Sequence, residues 1–147
     1  MGVSAALGIS EREVIVVKPS QYWRQEMQKE ADAVAAGAMD LGDASFLGVY
    51  SESFLSSVDQ ALTAFESDVR QLTPTSGPEV LAAVERVVVA LNRVNQETTG
   101  DSIDTDEREQ LCLFIDEALT ERGVAMEELA ARHGVSRFAV TDRWRRW

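Results

Sequence analysis

Leu55-Ser-Ser-Val58-Asp-Gln-Ala-Leu62-Thr-Ala-Phe65-Glu-Ser-Asp-Val69-Arg-Gln-Leu72 sets an apolar side chain at alternating steps of three and four. That spacing follows the helical repeat, so these side chains form one stripe along a single α-helix and require a surface to cover them. The cover comes next in the chain. Thr73-Pro-Thr-Ser-Gly-Pro78 reads as a turn, Pro78 and Glu79 suit the first turn of a following helix, and Val80, Val84, Val87, Leu91 and Val94 form a second stripe. Two striped helices joined by so short a connection pack antiparallel as a hairpin, and this hairpin makes the fold mainly α.

Reading outward toward the C-terminus, Asn92 and Asn95 flank the inward stripe of the second helix, as buried polar groups that fix packing or, the reading slightly favoured, as a fraying end. Asn95 to Asp104 is a polar loop containing Gly100. Asp104 with Glu107 has the spacing of a capping box, opening a helix from about Thr105 to Arg122 that buries Leu111, Ile115, Ala118 and Leu119 and ends at Gly123. Met126 to His133 forms a shorter helix ended by Gly134, and Ser136 is placed to cap a last helix with Val140, Trp144 and Trp147 inward. Toward the N-terminus, Ser20 is placed to cap a helix carrying Tyr22, Trp23, Met27, Ala31 and Val34, broken by Gly37 and Gly42. Glu13-Val-Ile-Val-Val17 reads as a strand, with Phe46-Leu-Gly-Val-Tyr50 as its partner within the chain or another protomer pairing with its edge. The expectation is a single domain over residues 1–147, a bundle of about five or six helices with a minor two-stranded β element near the N-terminus.

The composition, 45% hydrophobic and 27% charged over 147 residues, is that of an ordinary globular chain. No apolar run approaches the roughly 20 residues that cross a bilayer, and Met1 to Ser10 lacks the basic and apolar regions of a signal peptide. Cys112 is the single cysteine, so no intrachain disulfide forms. A cytoplasmic location and no membrane association are expected. The formal net charge is −11, unevenly spread: residues 1–122 hold 9 basic and 22 acidic side chains, whereas residues 123–147 hold 5 basic and 3 acidic ones. An acidic helical body therefore carries a mildly basic C-terminal unit, whose cations are Arg132, Arg137, Arg143, Arg145 and Arg146, interleaved with Trp144 and Trp147.

Within that unit, Glu128-Leu-Ala-Ala-Arg-His-Gly-Val-Ser-Arg-Phe-Ala-Val140 resembles a helix-turn-helix unit. Ala130 takes the place of the small residue at the helix crossing, Gly134 that of the turn, Val135 that of the apolar residue after it and Ser136 that of the second helix's cap. His133 and Arg143 stand where the motif has apolar residues. If the resemblance is functional, it implies that Arg137, Phe138, Thr141 and Arg145 face the major groove and that Arg146 meets phosphates, in a homodimer. The alternative is that Gly134 and Ser136 punctuate two helices of a bundle.

Catalytic chemistry is not indicated. There is no P-loop, nucleotide-binding glycine motif or paired CxxC, and Cys112 and His133 lie on different predicted helices without an orienting third group. The cluster Asp101, Asp104, Asp106, Glu107 and Glu109 fails the EF-hand pattern, since Ile103 holds its third position, and suits a solvated helix N-terminus. No enzyme activity, metal or cofactor is expected. Leu113 falls with Glu109, Asp116 and Glu117 on the predicted outer face of its helix, an apolar residue in an acidic field suited to gripping a basic protein. The first functional expectation is a protein-binding module whose acidic surface, Asp101, Asp106, Glu109, Leu113, Asp116 and Glu117, masks a basic partner as an immunity or antitoxin-like protein does. The second is a DNA-binding regulator using the C-terminal helix-turn-helix.

Overall fold

The protein is described by a computed structural model covering residues 17–97 and 103–147. Five α-helices are formed there: α1 (Pro19–Ala35), α2 (Glu52–Gln71), α3 (Gly77–Glu97), α4 (Thr105–Arg122) and α5 (Met126–Arg132). Short 3₁₀ turns cover Leu41–Asp43 and Arg137–Ala139.

The α2–α3 hairpin is the centre of the molecule. Every residue of both predicted stripes is buried, joined by Phe54, Ala83 and Val88. The Ser51 side chain accepts from the Phe54 N–H at 3.1 Å and so caps α2. At the far end the turn closes through a bond from the Ser76 N–H to the Thr73 carbonyl at 2.9 Å, and Glu79 accepts from the Thr73 N–H at 2.8 Å. The C-terminal carbonyls of α2 find their partner in another helix: Arg122, at the end of α4, donates from Nε to Val69 O at 3.0 Å and from Nη2 to Leu72 O at 2.9 Å.

α4 lies against α2 with Leu111, Phe114, Ile115 and Leu119 inward, and α1 packs on both. Asp104 and Glu107 form the predicted capping box, the Asp104 N–H reaching Glu107 Oε1 at 3.0 Å, and Gly123 closes the helix at φ 105°, a conformation that suits glycine. Ser20 is not a cap. Lys18 precedes α1, Pro19 takes the first helical position, and Ser20 is a fully buried helical residue whose hydroxyl donates to Asp59 on α2. Trp23, buried beneath it, stacks with Tyr50 and Phe54 at ring separations of 5.0 and 6.1 Å.

The predicted β element does not form where it is described. Phe46–Tyr50 is a series of turns, because the Glu30 carboxylate collects the Ser45, Phe46 and Leu47 N–H groups at 3.0, 2.8 and 2.8 Å and curls the backbone around itself. Glu13–Val16 lie outside the described residues. The last predicted helix is also replaced. After the 3₁₀ turn the chain runs through further turns, and Asn92 holds the end that follows them. Its Nδ2 donates to Trp144 O at 2.9 Å and its Oδ1 accepts from the Arg146 N–H at 2.9 Å. The β-branched pair Val140 and Thr141 adds a weak helical preference at the same place. Asn92 is thus a buried packing element and not part of a fraying end, and Asn95 accepts from the Ile103 N–H at 2.7 Å.

Candidate acidic groove

The outer face of α4 carries Asp106, Glu109, Leu113 and Glu117 at steps of three, four and four, all exposed, with Leu113 at 47%. Beside this stripe, α1 and α4 enclose a groove of about 380 Å³ lined by Val17, Tyr22, Leu113 and Phe114, with Gln25, Gln110 and Glu117 among its polar residues. One hydrogen bond spans α1 and α4, and a second ties α4 to the segment before α2. Trp23 Nε1 donates to Gln110 Oε1 at 2.6 Å, and the Tyr50 hydroxyl donates to Glu107. Burial, and then the Glu107 carboxylate, push the Tyr50 hydroxyl well above its ordinary pKa, so it remains a donor. Tyr22 is exposed and stands edge-on to Phe46 at 6.0 Å.

Phe46 is held by the Glu30 carboxylate. Desolvation works against the ionised form, but the Leu47, Phe46 and Ser45 amides outweigh it and keep Glu30 below the ordinary carboxylate range. The basic residues at the start of α1 are already engaged. Lys18 pairs with Glu66 at 3.1 Å, while Arg24 pairs with Glu52 at 2.7 Å and Asp59 at 2.9 Å. Its hydrogen bond to Glu52 is the main reason that the Arg24 guanidinium titrates above its usual range.

Asp116 is a correction to the predicted outer face. It is 5% exposed, on the flank of α4 that the C-terminal unit covers. There Arg137 grips it with two parallel bonds, Nε to Oδ1 at 2.9 Å and Nη2 to Oδ2 at 2.7 Å, and also donates to Thr120 Oγ1 at 3.0 Å. Asp101 lies outside the described residues. The structure therefore brings Asp106, Glu109, Leu113 and Glu117 together and withdraws Asp116. Val17, Tyr22 and Gln110 are groove residues that sequence reading passed over, because their neighbours across the groove belong to another helix.

The proposed DNA-reading face is dispersed. Besides Arg137, Thr141 is buried with its hydroxyl 3.5 Å from Cys112 Sγ. Arg145 turns back onto Trp147 O at 2.6 Å and Asp142 at 2.7 Å, with its guanidinium 5.4 Å from the Trp147 ring centre. Phe138, at 61% exposure, and Arg146 remain at the surface, but no α-helix presents them. No family model, curated protein or solved structure matches the chain.

A wider cleft of about 540 Å³ lies between α5, the start of α3 and the C-terminal segment, with Leu81, Leu129, Val140 and Trp144 on its walls and His133, Asp142 and Arg143 among its polar groups. Asp142 is tied to Arg145. Among the described residues no group of three or more His, Cys, Asp and Glu side chains is arranged to hold a metal ion, and no helix is long and apolar enough to cross a membrane. Cys112 and His133 do not converge: the thiol is half-buried toward Thr141, and the imidazole is exposed at the end of α5.

Proposed function

We propose that the chain is a non-enzymatic protein-binding module that masks a basic partner, in the manner of an immunity or antitoxin-like protein, and that the α1–α4 groove is where it does so. The observation that carries this reading is the position of Leu113. It is a large apolar side chain left exposed beside a groove whose other apolar walls are Val17, Tyr22 and Phe114, with Asp106, Glu109 and Glu117 in line along the same helix. Apolar anchors surrounded by charge are the usual division of labour at an interface: the anchor supplies affinity, the charges supply approach and orientation. Because Lys18 and Arg24 are spent on carboxylates of α2, the acidic stripe keeps its sign at the groove. A cytoplasmic setting is part of the same proposal.

The test is affinity purification from the native host with the wild-type chain, Leu113→Asp and the double variant Glu109→Lys/Glu117→Lys. The reading expects one basic protein to be retained by the wild type and lost with Leu113→Asp. With the purified pair, charge reversal slows association about tenfold or more at low salt, and the difference shrinks as salt is added. Retention of that protein unchanged by both variants, or recovery of DNA instead, overturns the proposal.

A further inference from the structure

Three arginines of this acidic chain line one cleft that has no carboxylate among its described lining residues. Arg93, Arg143 and Arg146 surround a space of about 350 Å³, together with Val89, Asn92, Gln96 and Trp144. Four other arginines are held by acids, Arg24 by Glu52 and Asp59, Arg86 by Asp68, Arg137 by Asp116 and Arg145 by Asp142, whereas Arg93, Arg143 and Arg146 share one cleft. In a chain of net charge −11, three guanidinium groups lining one space make it a locally positive concavity.

The cleft is also built, and not a chance meeting of surface side chains. Val89, Arg93 and Gln96 follow at steps of four and three, so α3 presents them on one face. One residue before Arg93, buried Asn92 fastens the other wall, donating to Trp144 O and accepting from the Arg146 N–H, both at 2.9 Å. This clamp sets Arg143 and Arg146 opposite Arg93. Arg143 lies over the Trp144 ring at 5.5 Å from its centre, a stack that orients the planar donor fork.

We propose that this cleft is a binding site for a small phosphorylated ligand, of which a nucleoside diphosphate is the class that fits best. Guanidinium forks match phosphate oxygens in pairs, the Gln96 carboxamide adds a donor and an acceptor, and Val89 and Trp144 offer an apolar wall for a flat ring. The volume falls in the range of small-molecule sites. A compact anion suits it better than a nucleic acid, whose phosphates would continue past the cleft over an acidic body, with no recognition helix to seat a duplex.

The experiment is calorimetric titration of the whole chain with ADP, inorganic phosphate, adenosine and a short DNA duplex. The expected result is that ADP binds, phosphate competes with it and binds more weakly, and adenosine alone gives no measurable heat. Arg93→Gln and Arg146→Gln, at exposed positions and with unchanged circular dichroism, each weaken ADP binding about tenfold or more, while Arg70→Gln, toward the opposite end of the hairpin, leaves it unchanged. Absence of binding by both ADP and phosphate overturns the inference, as does ADP binding insensitive to the cleft arginines. Duplex binding that phosphate cannot displace would overturn it in favour of a nucleic-acid backbone. None of these readouts involves the α1–α4 groove, so this site stands or falls separately from that one.

Discussion

Replacing Asn92 with Ala should loosen the whole C-terminal segment. The side chain is 9% exposed and makes two bonds to backbone 52 and 54 residues away, one as donor and one as acceptor. Each such bond contributes about 0.5–1.5 kcal/mol net, so losing both costs about 1–3 kcal/mol, the upper part applying if the Trp144 carbonyl and Arg146 amide stay shielded from water. For a chain of this length a loss of about 2 kcal/mol lowers the melting temperature by roughly 4–8 °C and the urea midpoint by about 1 M. Asn92→Leu fills a similar volume without the bonds and should fall about as far, which separates hydrogen bonding from packing. Urea unfolding followed by circular dichroism, together with hydrogen exchange of the Arg146 amide, measures both effects. An Asn92→Ala stability within about 0.5 kcal/mol of wild type, with Arg146 protection intact, would refute the clamp. Faster exchange at an unchanged midpoint would refute the magnitude, by showing that the segment opens independently of the hairpin.

Phe54→Ala should cost about 3–5 kcal/mol, since Phe54 is fully buried against Trp23 and Tyr50, whereas Leu113→Ala on the exposed stripe should change stability by less than about 0.5 kcal/mol; urea denaturation of the pair reads the contrast. Gly123→Ala should cost about 1–2 kcal/mol from backbone strain at φ 105° alone, because a Cβ there would meet Pro74 only at 3.8 Å; thermal unfolding of Gly123→Ala with and without Pro74→Gly should give the same penalty. Glu30→Gln should lower the melting temperature at neutral pH. The folded carboxylate titrates below its ordinary 4.5, so its contribution is present above that value and is lost as pH falls through the folded value, and the gap between wild type and variant should close on acidification.

The helical framework was legible because it rests on local signals. The stripes of α2 and α3 repeat within one helix, and Asp104, Glu107 and Gly123 mark the ends of α4 by their own backbone needs. What failed depended on partners far along the chain. Ser136 and Gly134 have the spacing of a second helix, but Asn92 claims the backbone of Trp144 and Arg146. Asp116 sits three residues from exposed Leu113, and the C-terminal unit, gripping it through Arg137, makes its flank of α4 interior. Glu30 likewise converts Phe46–Tyr50, an acceptable strand by composition, into turns. Of the candidate acidic surface, Leu113 and its carboxylate neighbours follow from helical geometry, while the groove beside them exists only because Trp23 and Gln110 set α1 at a particular distance. The arginine cleft had a compositional trace, the shift to positive charge after residue 122, but Arg93 belongs to the acidic body and joins it only in three dimensions.

Arg122 gives the molecule an unusual independence from its own chain continuity. By holding the Val69 and Leu72 carbonyls, it finishes α2 from outside, so the exposed link at Thr73 and Thr75 need not do so. A protease cut between Pro74 and Thr75 would leave two fragments whose facing α2 and α3 stripes are covered mainly across the cut, and whose reunion returns Arg122 to the severed end of α2, the conditions for fragments that recognise one another and rebuild the whole.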